Sequence, residues 1–106
     1  MTIIVGPDGD GLGEALLDRG VEIARIEGAA TREKLVEAGI ETEETFVLTD
    51  TREATAIPIA KDDNPEVRVI VYSEETIPEF ARGQADLAVD PNLLGPDVVA
   101  DELADA

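Results

Sequence analysis

The stretch Gly6-Pro7-Asp8-Gly9-Asp10-Gly11-Leu12-Gly13 is the part of this chain best equipped for chemistry. It follows a short apolar run, Thr2-Ile3-Ile4-Val5, and leads into Leu12, Ala15 and Leu16 at helical spacing. A glycine-rich turn between a strand and a helix lets the backbone approach a diphosphate and aims the amide end of the helix at it. Gly6, Gly9 and Gly11 are therefore candidate phosphate contacts, in the spacings Gly6-x-x-Gly9 and Gly9-x-Gly11-x-Gly13 rather than a clean G-x-G-x-x-G. Asp8 and Asp10 stand inside the same turn, where they repel a diphosphate, and Asp10 is placed to cap the helix itself. The acids also suggest a second chemistry: Asp8, Asp10 and Asp50 form a candidate Mg²⁺ cluster. A plainer role for Asp50 is a helix N-cap, with Glu53 three residues on completing the box. With no His and no Cys, imidazole acid–base work, thiolate chemistry, disulfides and the usual structural zinc sites are excluded. Ser73, the only serine, has no histidine to activate it.

These groups need a frame, and the chain supplies an alternating one. Thr2–Val5 reads as a strand buried on both faces, and Gly20 stops the helix that follows. Val21–Glu27 reads as a second strand whose Glu22 and Arg25 suit a sheet edge. Thr31 caps a helix carrying Leu35, Val36 and Ala38 and closed by Gly39. Phe46-Val47-Leu48 is the third strand, followed by a helical stretch from about Thr51 to Lys61 in which Pro58 forces a kink or a fresh turn. Val67–Val71 is the fourth strand, and Thr76-Ile77-Pro78-Glu79 has capping-box spacing for the next helix. Leu87-Ala88-Val89 is a brief fifth strand, and Pro96 opens a last helix with Val98, Val99 and Leu103.

Strands alternating with helices imply parallel pairing through right-handed crossovers. The expected fold is α/β, Rossmann-like: a three-layer, doubly wound parallel sheet of five strands in the order 2-1-3-4-5, formed by a single domain over residues 1–106. Ligands of such sheets bind beyond the carboxyl ends of the strands, where the strand order reverses. The rim is then the Gly6–Gly13 loop, Glu27-Gly28, Thr49-Asp50-Thr51, Tyr72-Ser73 and Asp90.

Five pieces of the chain resemble the TrkA N-terminal (RCK) domain. They are Leu35-Val36-Glu37-Ala38-Gly39-Ile40, Thr45-Phe46-Val47-Leu48-Thr49-Asp50, Ala60-Lys61, Asn64-Pro65-Glu66-Val67-Arg68-Val69-Ile70 and Gln84-Ala85-Asp86-Leu87-Ala88-Val89-Asp90-Pro91. That resemblance implies a non-catalytic regulatory domain that senses NAD(H) or another nucleotide and partners a transporter or channel. It places Glu27 at the acid that holds the adenosine ribose, and Gly6, Gly9, Gly11, Thr49 and Asp50 around the cofactor. Departures accompany it: Gly28-Ala29-Ala30-Thr31 follows Glu27 at once, as if one helix and one strand of the family pattern were missing, and Ala29 stands where the family has Asp.

The strand order is shared with receiver domains, which make the alternative reading a divalent-cation-binding module. Asp50 and Ser73 then occupy the phosphoacceptor and hydroxyl positions. The lysine that neutralises the phosphoryl group just before a proline is replaced by Asp90 in Asp90-Pro91, which argues against phosphotransfer. A further alternative is an interaction module without a ligand site, self-associating through the edge strand Val21–Glu27.

Charge limits the partners. Twenty-five acids oppose eight bases, giving a net charge of −17. Such a surface repels phosphate backbones, so nucleic acid is not an expected partner. No apolar run approaches the ~20 residues of a membrane span, so the expected location is the cytoplasm without membrane insertion. Dispersed acid with only two lysines, Lys34 and Lys61, fits a protein working in molar salt, where the Debye length falls to about 3 Å. An acidic clamp for a basic partner is the other reading of the same charge.

Overall fold

In the computed structural model, which describes residues 1–104, strands β1 (Thr2–Val5), β2 (Ile23–Ile26), β3 (Thr45–Leu48), β4 (Arg68–Tyr72) and β5 (Leu87–Val89) form one sheet. Their order is β2-β1-β3-β4-β5 and all four pairings are parallel. Every residue of β1 and β3 is buried, as uninterrupted apolar runs in a sheet covered on both faces require. The edge strands are less covered: Arg25 on β2 and both Leu87 and Ala88 on β5 are exposed.

Helices α1 (Leu12–Asp18) and α5 (Pro96–Ala104) cover one face, and α2 (Arg32–Glu37), α3 (Ala56–Asp63) and α4 (Glu79–Arg82) the other. Alternation along each strand divides the core accordingly. Ile4, Val47, Ile70 and Tyr72 meet Leu12, Leu16 and Val99, whereas Ile3, Val5, Phe46, Leu48, Val69 and Val71 meet Leu35, Ile57 and Ala81. The accessible surface of 5711 Å² matches the about 5,700 Å² expected for a single folded domain of this mass, so no element stands away from the body.

Local signals explain most boundaries. The Thr31 hydroxyl accepts a hydrogen bond from the Lys34 amide at 3.2 Å and starts α2. Pro58 occupies the first turn of α3, where its missing N–H has no helical partner to lose. The stretch from Thr51 therefore divides into a 3₁₀ turn, Thr51–Glu53, and a separate helix that ends at Asp63. Two expected boxes do not form. No side chain caps α4, which begins after Pro78 and runs for one turn. Glu53 does not return to Asp50; its carboxylate accepts from the Ala30 amide across the sheet at 2.8 Å.

Polar side chains pin the connections below the sheet. Asn64 donates to the Ile40 and Glu43 carbonyls at 2.9 and 2.8 Å and accepts from the Glu66 amide at 3.2 Å. Asp86 accepts from the Val69 amide at 2.8 Å and from Lys61 at 2.9 Å, locking the start of β4 to the start of β5. Glu43 is different. It is 3% exposed, and neither carboxylate oxygen has a hydrogen-bond partner.

Burial pushes the Glu43 carboxyl above the ordinary carboxylate range; the terminal ammonium of Met1 opposes this, and Glu44 and Glu22 reinforce it. Between the ordinary and the raised value, the folded protein keeps a proton that the unfolded chain has released. This contribution to stability is full on the acid side and is lost as pH rises through that interval. Glu43→Gln, uncharged and of the same shape, is expected to melt several degrees above the wild type at pH 7 and together with it at pH 4. Thermal unfolding across that pH range checks it, and a wild type that melts higher at pH 7 would contradict it.

Candidate functional site

Register puts the candidate residues on one rim. Val5 pairs with Ile26 on one side and with Leu48 on the other, so the loops leaving β1, β2 and β3 start at the same level. The β1 loop is drawn tightly against the end of β3. The Thr49 hydroxyl hydrogen-bonds to the Val5 and Pro7 carbonyls at 3.1 and 2.6 Å, and the Thr49 amide donates to Val5 at 2.9 Å. Gly6 makes that approach feasible: its φ is +107°, and a Cβ there would lie 2.8 Å from the Asp50 amide nitrogen. Gly6 and Thr49 are thus brought together as expected, but their contacts are with each other's strands.

The acid that caps α1 is Asp8, correcting the assignment to Asp10. One Asp8 carboxylate oxygen accepts from the Leu12 amide at 2.9 Å; the other accepts from Gly13 at 2.7 Å and from the Arg25 guanidinium at 3.0 Å. The side chain is only 8% exposed. A carboxylate of the chain itself thus takes the helix amides that a diphosphate would need. The physical reason lies in the turn: Gly11, at φ +83°, reverses the chain so that the residue four places before Leu12 faces the helix end. Gly9 has nothing within 4 Å of where a Cβ would stand, and Asp10 is exposed.

Asp50 caps the 3₁₀ turn, accepting from the Arg52 amide at 3.0 Å. The Arg52 guanidinium then grips the same carboxylate in a fork, with both nitrogens at 3.0 Å. The side-chain hydrogen bond from Arg52 is the leading cause that holds the Asp50 carboxyl below its ordinary value. The proposed Mg²⁺ cluster is therefore not assembled. Asp8 faces α1, Asp50 faces Arg52, and among the described residues no group of three His, Cys, Asp or Glu is arranged to hold a metal ion.

The β1 loop divides the rim into clefts. One, of about 380 Å³, is lined by Gly6, Asp8, Arg25, Glu27, Gly28, Asp50 and Arg52, so Glu27 does face the same space as the glycine loop. Another, of about 300 Å³, lies between Asp10, Thr49, Tyr72, Ser73, Glu74 and Pro91. Here Ser73 accepts from the Glu75 amide at 3.1 Å, and Tyr72 donates to the Leu94 carbonyl at 3.0 Å. Burial first, then the charges of Asp10 and Asp8, raise the Tyr72 hydroxyl above its ordinary value, so it is a hydrogen-bond donor at any working pH. Sequence reasoning missed Arg25 and Arg52 as counter-ions. The sequence signal for Arg52 is its position two residues beyond a turn-forming Asp; Arg25 offers none beyond its polarity in an edge strand.

Solved structures of several proteins superpose on this arrangement. An atypical orphan response regulator, described as working by a phosphorylation-independent regulatory mechanism, superposes with a TM-score of 0.70 at 16% identity over 96% of this chain and 91% of that one. A pilus assembly-related protein of Burkholderia pseudomallei K96243 gives 0.66 at 19% identity, covering 97% and 86%. A Burkholderia pseudomallei response regulator, solved with a phosphorylated aspartic acid, calcium and citrate, gives 0.59 at 20% identity, covering 96% and 69%. The chain shares with these structures the five-stranded parallel α/β fold of strand order 2-1-3-4-5. More specifically, a family model described as a family of unknown function, DUF7126, matches residues 2–103, and the chain belongs to that family. No curated protein matches its sequence. Among the described residues, no helix is long and apolar enough to cross a membrane.

Two glycine substitutions separate tight packing from open loop. Gly6→Ala is expected to destabilise the domain by more than about 2 kcal/mol, combining a left-handed φ with a clash against backbone. Gly9→Ala should change stability by less than about 0.5 kcal/mol. Urea unfolding of both variants measures the difference, and comparable losses would refute the packing account.

Proposed function

We propose that this chain is a receiver-like regulatory module that works without phosphotransfer and acts through protein–protein contact. The observation that carries this reading is the state of the phosphoacceptor position. Asp50 lies at the carboxyl end of β3, as that position requires, yet Arg52 holds both of its oxygens. A carboxylate whose charge is shared with a guanidinium in this way is less basic and a weaker nucleophile toward phosphorus. The other parts of such a site are altered in the same sense. Asp90 replaces the cation expected after β5, and Asp8 is turned into the helix cap. A phosphoryl group on Asp50 would add negative charge to a rim that already holds Asp8, Asp10, Glu74 and Glu75. The module is non-catalytic on this account, and its strand order and shape serve as a platform.

A second reading rests on the cleft of about 380 Å³ that joins Glu27 to the glycine loop. In the TrkA-like version of the module, a small nucleotide, NAD(H) included, docks there with its ribose on Glu27, and a transporter or channel receives the signal.

Two measurements distinguish the readings. Incubation with acetyl phosphate and Mg²⁺ should leave the intact mass unchanged for both the wild type and Asp50→Asn; a phosphoryl adduct on the wild type alone would overturn the phosphotransfer-free reading. NAD(H), ATP and AMP should leave the melting temperature unchanged under the first reading. Under the second, a ligand at 100 times its Kd adds about 2.7 kcal/mol of stability, and Glu27→Gln reduces the shift.

A further inference from the structure

Strand β2 closes the sheet on the side away from β5, and no further strand covers its outer edge. The Thr2 amide donates to the Glu22 carbonyl at 3.0 Å and the Gly6 amide to the Ile26 carbonyl at 3.2 Å. Residues 22, 24 and 26 thus turn their backbone groups toward β1, and alternation turns those of Ile23, Arg25 and Glu27 outward. Natural edges are guarded by lysine, proline, bulges or a covering element. Strand β2 contains neither lysine nor proline, and its one charged side chain, Arg25, is drawn onto Asp8 at 3.0 Å.

Helix α2 does not close the gap. It has six residues, of which only Leu35 is buried, and it leaves a groove of about 390 Å³ along β2 where Ala24 and Ala38 are the small side chains. The charges bordering this groove balance, Arg25 and Lys34 against Glu27 and Glu37. Four other clefts of the surface each have at least one more acid than base in their lining. On a molecule of net charge −17, a second copy therefore meets less repulsion at the β2 edge than at any of those four. A basic partner would gain more at the others. Lys34 and Glu37, both exposed, stand three residues apart on one face of α2. A two-fold axis between antiparallel copies of this helix sets each lysine against the other copy's glutamate.

These observations name the partner for the interaction-module reading, on which the inference rests. We propose that β2 pairs antiparallel with β2 of a second copy, joining two five-stranded sheets into one. In the register that the charges favour, Arg25 stands opposite Glu27 of the other copy, with Ile26 near the axis and Lys34 facing Glu37 across it. Arg25 and Glu27 exchange main-chain hydrogen bonds in both directions, and the opposite charges add reciprocal side-chain pairs. The axis is perpendicular to the sheet, so the two glycine-loop rims open at opposite ends of the dimer.

Sedimentation equilibrium over a wide range of protein concentration tests the proposal. The dimer should strengthen as KCl rises from about 0.05 to about 0.5 M, because the Debye length falls from about 14 to about 4 Å and long-range repulsion fades before contact pairs do. Lys34→Glu and Glu37→Lys, both at exposed positions, should each raise the dimer dissociation constant about tenfold or more, since each turns attractive contacts into repulsive ones. An equimolar mixture of these two variants should associate as the wild type does, because each then meets the opposite charge; loss of folding cannot mimic that rescue. Hydrogen exchange at the Arg25 and Glu27 amides should slow on association. A monomer at every concentration and salt would overturn the proposal. So would a dimer indifferent to both variants, a mixture that stays monomeric, or a dimer without protection at those two amides. A phosphoryl adduct in the acetyl phosphate experiment defeats the phosphotransfer-free reading and leaves the dimer to be judged by these measurements.

Discussion

Val5, Ile26 and Leu48 end their strands at one level because β1 is hydrogen-bonded in parallel register to β2 and β3, and everything at the rim depends on that constraint. Parallel strands send all their exit loops to the same side of the sheet. Burial of β1 and β3 on both faces fixes the register, since a slip of one residue would exchange the Ile3–Phe46 face with the Ile4–Val47 face, and each set is fitted to different helices. Only with that alignment can Gly6 pass within contact of Asp50, and only then do Asp8, Glu27 and Asp50 border a single cleft.

The electrostatics of the rim follow from how few cations the chain has. Eight bases serve twenty-five acids, and at least five of the eight are ion-paired: Arg19 with Asp97 and Asp101, Arg25 with Asp8, Arg32 with Asp62 and Asp63, Arg52 with Asp50, and Lys61 with Asp86. Exposed pairs of this kind each contribute little to stability. Their effect at the rim is one of occupancy. Arg25 and Arg52, the two cations lining the cleft beside Glu27, are already bound to carboxylates of the chain, which take the place of an incoming anion. The arrangement suits a surface that holds one form more than a site that cycles between charge states.

The residues that made the chain resemble TrkA-type domains have work of their own in the frame. Asn64 ties the loop before β3 to the turn before β4, and Asp86 with Lys61 fastens β4 to β5. Thr49 and Asp50 secure the rim from the β3 side. Crossovers that must return a strand to the same parallel sheet call for such clamps whether or not a ligand is bound, because buried loop amides and carbonyls need partners.

Hydrophobic patterning was enough to place all five strands, their parallel pairing and the order 2-1-3-4-5, because apolar runs alternating with helical periodicity leave few ways to bury both faces of a sheet. Thr31 as a cap was equally readable, and Pro58 signalled an interruption, as a kink or a fresh turn, without saying which, since both causes lie within a few residues. Which acid would cap α1, how Arg25 and Arg52 would be spent and whether Asp8, Asp10 and Asp50 would meet depended on separations across the sheet that no local pattern encodes. Ion pairing between residues 17 positions apart, such as Arg25 and Asp8, exists only once two strands are side by side.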